Sequence, residues 1–187
     1  MCIRDRFLAG HGISIDGRYY FMPHDAKLSG NIKEQVKATS LTQKMLSDLL
    51  SALPTSRVAV LIDSCNAGAF AVMGSVVQNS SRERAWTGSL AQNTGRFVLA
   101  GTSTEQEALD GINGHGVFTA VLLEGLSGKA DQEVGGNNDH RINIFELQKY
   151  TSQRVPEEAH KISPTHAQNV SGFFAGSEFF DLTVSKP

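Results

Sequence analysis

The chain has 187 residues, with 17 basic against 19 acidic side chains and a net charge of −2. That balance leaves no basic field to hold nucleic acid or an anionic membrane surface, and no apolar run approaches the ~20 residues of a membrane-crossing helix. Apolar types make up 40% of the chain; their frequent runs, bounded by turn residues, exclude disorder and predict one soluble globular domain over 1–187.

Taken in chain order, Phe7-Leu8-Ala9 ends at Gly10-His11-Gly12 and predicts the end of a buried strand. Arg18 to Met22 follows Asp16-Gly17 and stops at Pro23, so it predicts a strand after a tight turn. The polar stretch 24–39 is expected to be a surface loop. Ser40 and Gln43 have the spacing of a capping box, and Leu41, Met45, Leu46, Leu49, Leu50 and Leu53 then recur at helical spacing up to Pro54. Val58 to Ile62 is continuous and β-branched, as in a parallel strand covered on both faces; it runs into Asp63-Ser64-Cys65. Residues 74–95 are rich in Ser, Gly, Gln, Asn and Arg and predict a flexible linker. Phe97 to Ala100 predicts another buried strand, ending in Gly101-Thr102-Ser103. Helices are expected over Val117 to Leu126 and Asn143 to Val155. The second is opened by a capping box of Asn143 and Glu146, with Ile142 and Leu147 as a hydrophobic staple. From Ser163 onwards no period stands out.

Strands alternating with helices predict an α/β fold with a mostly parallel sheet, in which chemistry sits beyond the carboxyl ends of the strands. Three such ends carry reactive or polar groups: Gly10-His11-Gly12, Asp63-Ser64-Cys65 and Thr102-Ser103. Cys65, among small and polar residues just past a buried strand, can be partly exposed. Its thiolate needs a neighbouring imidazole to act near neutral pH. His11, flanked by glycines at a second strand end, is placed to supply it, and the Gly12 and Cys65 amides could hold an oxyanion. The bland alternative is a buried structural thiol beside a turn histidine. With only Cys2 and Cys65 and no CxxC pair, neither a disulfide framework nor a zinc site is expected. A reduced, cytoplasmic setting fits.

The runs FLAGHG and VAVLIDSCNAG, with Cys65 54 residues after His11, resemble the caspase-like cysteine peptidases, in particular their metacaspase and bacterial branch. An interval of about 50 residues between the two belongs to the caspase signature. GRYYFMPHDA, GTSTEQEALDGINGHGVFTAVLLEGL and INIFELQKYTSQRVPE resemble later parts of that domain. The resemblance implies a three-layer α/β/α domain with a mostly parallel central sheet. It also implies an endopeptidase in which Cys65 attacks the scissile carbonyl to form a thioester, while His11 protonates the leaving amine and later helps activate water. Gly12 and Cys65 would line the oxyanion hole. Asp63, two residues before the nucleophile, would form an acidic substrate-binding floor selecting Arg or Lys, the bland alternative being a cap on local amides; Thr102 and Ser103 could form a further wall.

Two departures stand out. Metacaspases usually have histidine and serine after the cysteine, where this chain has Asn66 and Ala67. The strand–helix–strand that opens the family's domain before its histidine also has no counterpart here. The opening MCIRDR therefore predicts a domain incomplete at its N-terminus, with its first strands missing and further domains expected in a full-length protein.

Of the remaining histidines, His115 in Gly114-His115-Gly116 is expected to be a turn or helix-start residue, and His24, His140, His160 and His166 to lie on the surface. Asn137, Asp139 and Glu146 echo a calcium loop, but Gly135 stands at its first ligand position and His140 replaces its glycine. No metal site is expected there, and a calcium requirement of the metacaspase kind would lie at a site the sequence does not locate. No phosphate-binding loop is present, and no other cofactor is expected. Arg82 and Arg84 in the linker are candidate self-cleavage positions for an enzyme cutting after basic residues. Peptide or protein substrates are the expected partners. Two alternatives remain beside the peptidase: a caspase-like regulatory or scaffold domain with little turnover in a larger signalling protein, and a redox-sensing thiol independent of His11.

Overall fold

The computed structural model describes residues 3–26, 29–55, 57–67, 95–103, 105–133, 135–175 and 180–184. The predicted linker, with Arg82 and Arg84, lies outside the described residues except for its last residue, Gly95. Its frame is a four-stranded sheet whose members are β1 (Ile3–Ala9), β5 (Arg57–Asp63), β6 (Gly95–Ala100) and β10 (Ser171–Ala175), adjacent in that order. The first three are parallel and β10 is antiparallel to β6. The expected mostly parallel α/β architecture is thus observed.

The twofold alternation along β5 decides which layer each side chain serves. Val58, Val60 and Ile62 enter one core cluster with Leu46 of α2 (Gln43–Ser51) and with Tyr19 and Phe21 of a hairpin spanning residues 11–22. Ala59 and Leu61 enter the other, with Phe97, Leu99 and the helices α3 (Val117–Glu124) and α5 (Ile144–Ile162). Every residue from Val58 to Ile62 is buried, at roughly 1.5–3 kcal/mol for each large aliphatic side chain. This is why the run reads as continuously apolar rather than alternating.

The hairpin joins β2 (His11–Ile15) to β3 (Arg18–Met22) through Asp16 and Gly17. Both have left-handed φ, 52° and 73°, the geometry whose twist matches the flanking strands. Ahead of α2, the structure moves the predicted helix start. Leu41–Thr42 forms a short strand, β4, drawn into pairing with Tyr20 and Phe21, so Thr42 and not Ser40 accepts the Met45 amide as cap. The predicted loop 24–39 contains α1 (Ile32–Thr39), capped by Asn31; one buried residue, Val36, leaves too little apolar pattern to announce it.

Beyond the sheet, β7 (Asp110–Ile112) pairs with β8 (His115–Gly116) just before α3. The predicted helix from Val117 does not stop at Leu126. Residues Gly125–Lys129 carry the chain on to a kink at Gly128, whose φ of 126° is not helical, and then into the short helix α4 (Ala130–Gln132). Helix α5 opens on the predicted Asn143–Glu146 capping box, which follows β9 (Arg141–Asn143), and runs on through Pro156 to Ile162. The stretch after Ser163 supplies β10 and then β11 (Asp181–Val184), which pairs with β9. These late strands are held by partners distant in sequence, so no local period marks them. Among the described residues no helix is long and apolar enough to cross a membrane.

Candidate active site

In-register parallel pairing of Ala9 with Asp63, and of Ile62 with Ala100, brings the carboxyl ends of β1, β5 and β6 to one edge of the sheet. The Gly10 amide donates to the Asp63 carbonyl at 3.0 Å, which sets His11 and Cys65 on adjacent turns.

The Cys65 turn is held from behind by polar groups. Thr102, fully buried, donates its hydroxyl to the Ser64 carbonyl at 2.9 Å and accepts the Ala67 amide at 3.0 Å. Asn66, at a left-handed φ of 57°, donates its amide to the Gln106 carbonyl at 2.9 Å. The Tyr19 and Ser64 hydroxyls share a hydrogen bond of 2.6 Å. Burial pushes the Tyr19 phenol up to about 12, against the opposing pull of the Ser64 bond, so it stays neutral and available as a donor. Cys65 itself is half-buried and its thiol is free; Sγ accepts the Ala108 amide at 3.4 Å.

His11 opens β2 and is exposed. Gly12 explains why glycine follows it: a Cβ there would lie 2.4 Å from the Cys65 carbonyl oxygen, 2.7 Å from Ser64 Oγ and 2.8 Å from Tyr19 Cε2. The His11 strand therefore touches the Cys65 turn backbone to backbone. Counting the ladder from the turn-closing pair Ile15–Arg18 makes Gly12–Phe21 a non-hydrogen-bonded pair. The Gly12 N–H is consequently not spent on β3. Neither it nor the Cys65 N–H has a protein partner among the described residues. No hydrogen bond joins the His11 ring to Cys65 Sγ among those residues either.

A cleft of about 410 Å³ opens over these turns, with Phe7, His11, Asp63, Cys65, Asp110 and His115 in its lining. Asp63 is 7% exposed. Its Oδ2 accepts both the Thr119 amide, at 3.1 Å, and the Thr119 hydroxyl. Gly116 supplies no side-chain cap to α3, so Asp63 caps that helix from across the fold, where the helix dipole favours negative charge. Gly116 also makes room for it, since a Cβ there would sit 2.6 Å from Oδ2. Burial pushes the Asp63 carboxyl above its ordinary 3.8 and the charge of Asp110 adds to this, while the Thr119 bonds oppose both. Oδ1 is left without a protein partner among the described residues.

His11, Gly12, Asp63 and Cys65 are thus brought together, all but Gly12 in the cleft lining. Thr102 and Ser103 are not in that lining: Thr102 lies beneath the Cys65 turn, and Ser103 donates its amide to Gln106 Oε1 at 3.3 Å. Sequence reasoning passed over Asp110 and Ala108, which reach the cleft through a loop with no periodic signal. His115 does precede α3 as expected, but it also lines the cleft. In the calcium-like loop, Asn137 Oδ1 accepts the Asp139 amide, Asp139 Oδ1 accepts the Arg141 amide, and Glu146 caps α5. The fully buried Asp131 accepts the Asp139 and His140 amides at 3.0 Å each, so these oxygens are committed to loop structure. Among the described residues no group of three or more His, Cys, Asp or Glu side chains could hold a metal ion.

Comparison with known proteins agrees with this geometry. The caspase domain family matches residues 5–172. The chain belongs to the caspase-domain peptidases, and its general character is that of a cysteine peptidase. The crystal structure of protein GSU0716 from Geobacter sulfurreducens is similar in fold, with a TM-score of 0.53 and 18% identity, covering 94% of this chain and 67% of that one. A search of curated proteins gives no match.

Proposed function

We propose that the domain is a cysteine endopeptidase that hydrolyses peptide bonds after arginine or lysine. The observation that carries this proposal is that Cys65, His11 and Asp63 open onto one cleft at the ends of adjacent parallel strands. Cys65 Sγ gives up its proton to His11 and attacks the scissile carbonyl carbon, forming a C–S bond. The oxyanion is held by the N–H groups of Gly12 and Cys65, which have no competing protein acceptor among the described residues. His11 protonates the leaving amine as the C–N bond breaks, then takes a proton from water, which hydrolyses the thioester and releases the thiol. Asp63, with Oδ1 free and Asp110 nearby, gives a negative floor that attracts a basic side chain and repels an acidic one. Peptides or proteins are the substrates, and the setting is cytoplasmic.

A second reading, a caspase-like scaffold with little turnover, is favoured by one observation: Sγ rests on the Ala108 amide and not on His11. Irreversible peptidyl probes decide between them. Labelling by an arginine-ended probe over an aspartate-ended one, abolished in Cys65→Ala and His11→Ala and lost selectively in Asp63→Asn, supports the peptidase. A folded preparation that takes neither probe supports the scaffold. If His115→Ala and not His11→Ala abolishes labelling, the dyad has been assigned to the wrong imidazole.

A further inference from the structure

The loop 105–110 delivers Ala108 to the nucleophile and Asp110 to the acidic end of the cleft, yet it has little regular structure of its own. Besides its bonds to Cys65, Asn66 and Ser103, it is held by the segment 163–170, between α5 and β10. Gln168 is 1% exposed, and its planar amide makes two bonds in opposite directions. Oε1 accepts the Leu109 amide at 3.0 Å, and Nε2 donates to the Gly101 carbonyl at 2.9 Å. These two partners fix the orientation of the amide, since only oxygen can meet an N–H and only the NH₂ can meet a carbonyl. Gly101 immediately precedes Thr102, the lock of the Cys65 turn. Leu109 immediately follows Ala108, and its carbonyl accepts the Val117 amide at 2.8 Å, at the start of the helix whose Thr119 holds Asp63. Two neighbours of Gln168 add ties to the same loop: His166 Nε2 lies 2.9 Å from the Glu107 carbonyl, and the Asn169 amide donates to Gln106 Oε1 at 2.8 Å.

We propose that Gln168, assisted by His166, is a positioning residue of the cleft: it clamps the loop bearing Ala108 and Asp110 onto the strand end that locks Cys65. A buried glutamine suits this place because one side chain carries both a donor and an acceptor; an apolar residue of similar size leaves Leu109 N–H and Gly101 C=O unpaired inside the protein. The part played in substrate binding rests on the peptidase proposal, whereas the clamp itself does not.

The test compares wild type, Gln168→Met, His166→Ala and, as a destabilised control remote from the cleft, Val36→Ala. Amide hydrogen exchange over 105–110 is expected to quicken at least tenfold in Gln168→Met and to match wild type in Val36→Ala. With the arginine-ended probe, the concentration for half-maximal labelling rate is expected to rise about tenfold or more in Gln168→Met, the limiting rate changing far less, because the pocket wall moves while the attacking groups stay. A merely structural residue would lower thermal stability without that split. Unchanged exchange, or unchanged probe binding in a folded Gln168→Met, overturns the proposal. Should that variant not fold, the half-buried His166 decides: a rise of about threefold in the same constant supports the clamp, and no change overturns it. Failure of any peptidyl probe to label wild type overturns the peptidase proposal and the role in substrate binding, while the exchange comparison still decides whether Gln168 holds the loop.

Discussion

Replacing Gly12 by alanine adds one methyl group at the contact between the His11 strand and the Cys65 turn. That methyl carbon would stand 2.4 Å from the Cys65 carbonyl oxygen, whereas real Cβ atoms keep beyond 3.0 Å. The two backbones must part by at least about 0.6 Å, and neither can turn aside as a side chain could. Forced overpacking of this kind costs about 1–3 kcal/mol, or about 2–12 °C in Tm for a domain of this size. The larger effect falls on chemistry: a displacement of ~1 Å in a reacting pair costs ~100-fold in rate, so labelling of Gly12→Ala by the arginine-ended probe should fall roughly 15- to 100-fold. Gly17→Ala separates strain from geometry. Gly17 has φ 73° and open space around it, so alanine there costs about 1–2 kcal/mol of backbone strain with no displacement of the cleft. Stopped-flow or timed labelling, beside thermal melts of both variants, is the assay. Labelling of Gly12→Ala at the wild-type rate would refute the contact as a determinant of the Cys65–His11 geometry.

Thr102→Val leaves the Ser64 carbonyl and Ala67 amide without their shared hydroxyl; it should cost about 1–3 kcal/mol and most of the labelling, with Thr102→Ser restoring both in denaturant melts and probe assays. Asp63 has a folded pKa raised above 3.8 by burial, so its contribution to stability is fully present below pH 3.8 and is lost as pH rises through the raised value. Urea melts across that window should therefore show wild type losing stability relative to Asp63→Asn, while arginine-selective labelling, which needs the carboxylate, rises over the same window in wild type and stays low in the variant. On prolonged incubation the active enzyme should yield two fragments divided within the 74–95 linker. Arg82→Ala/Arg84→Ala should remain intact on a gel, and an intact wild-type chain would end the self-cleavage idea.

Much of the frame was legible because its causes are local. Val58 to Ile62 announces a doubly covered strand by being apolar at every position. Asp16-Gly17 announces a turn by tolerating left-handed φ, and Asn143 with Glu146 announces a helix start by satisfying that helix's own free amides. The pairing of His11 with Cys65 was legible through a family pattern and not through any local rule. Where local signals competed, tertiary pairing won: Ser40 and Gln43 had the spacing of a cap, but pairing of Leu41–Thr42 with β3 moved the helix start to Thr42.

Only the tertiary structure decided what surrounds Cys65. Thr102 suggested a pocket wall by standing at a strand end, and folding turned it inward to bind Ser64 and Ala67. Asp63 serves as a helix cap and lines the cleft because the first turn of α3 lies beside it, with Thr119 56 residues later in the chain. Ala108, Asp110 and Gln168 carry no periodic or turn signal, and their contacts join segments up to 67 residues apart. Periodicity and turn chemistry are set by a residue's near neighbours in the chain, so they can be read along it. A hydrogen bond between distant segments depends on how whole strands and helices have packed, and that arrangement is what positions the groups around Cys65.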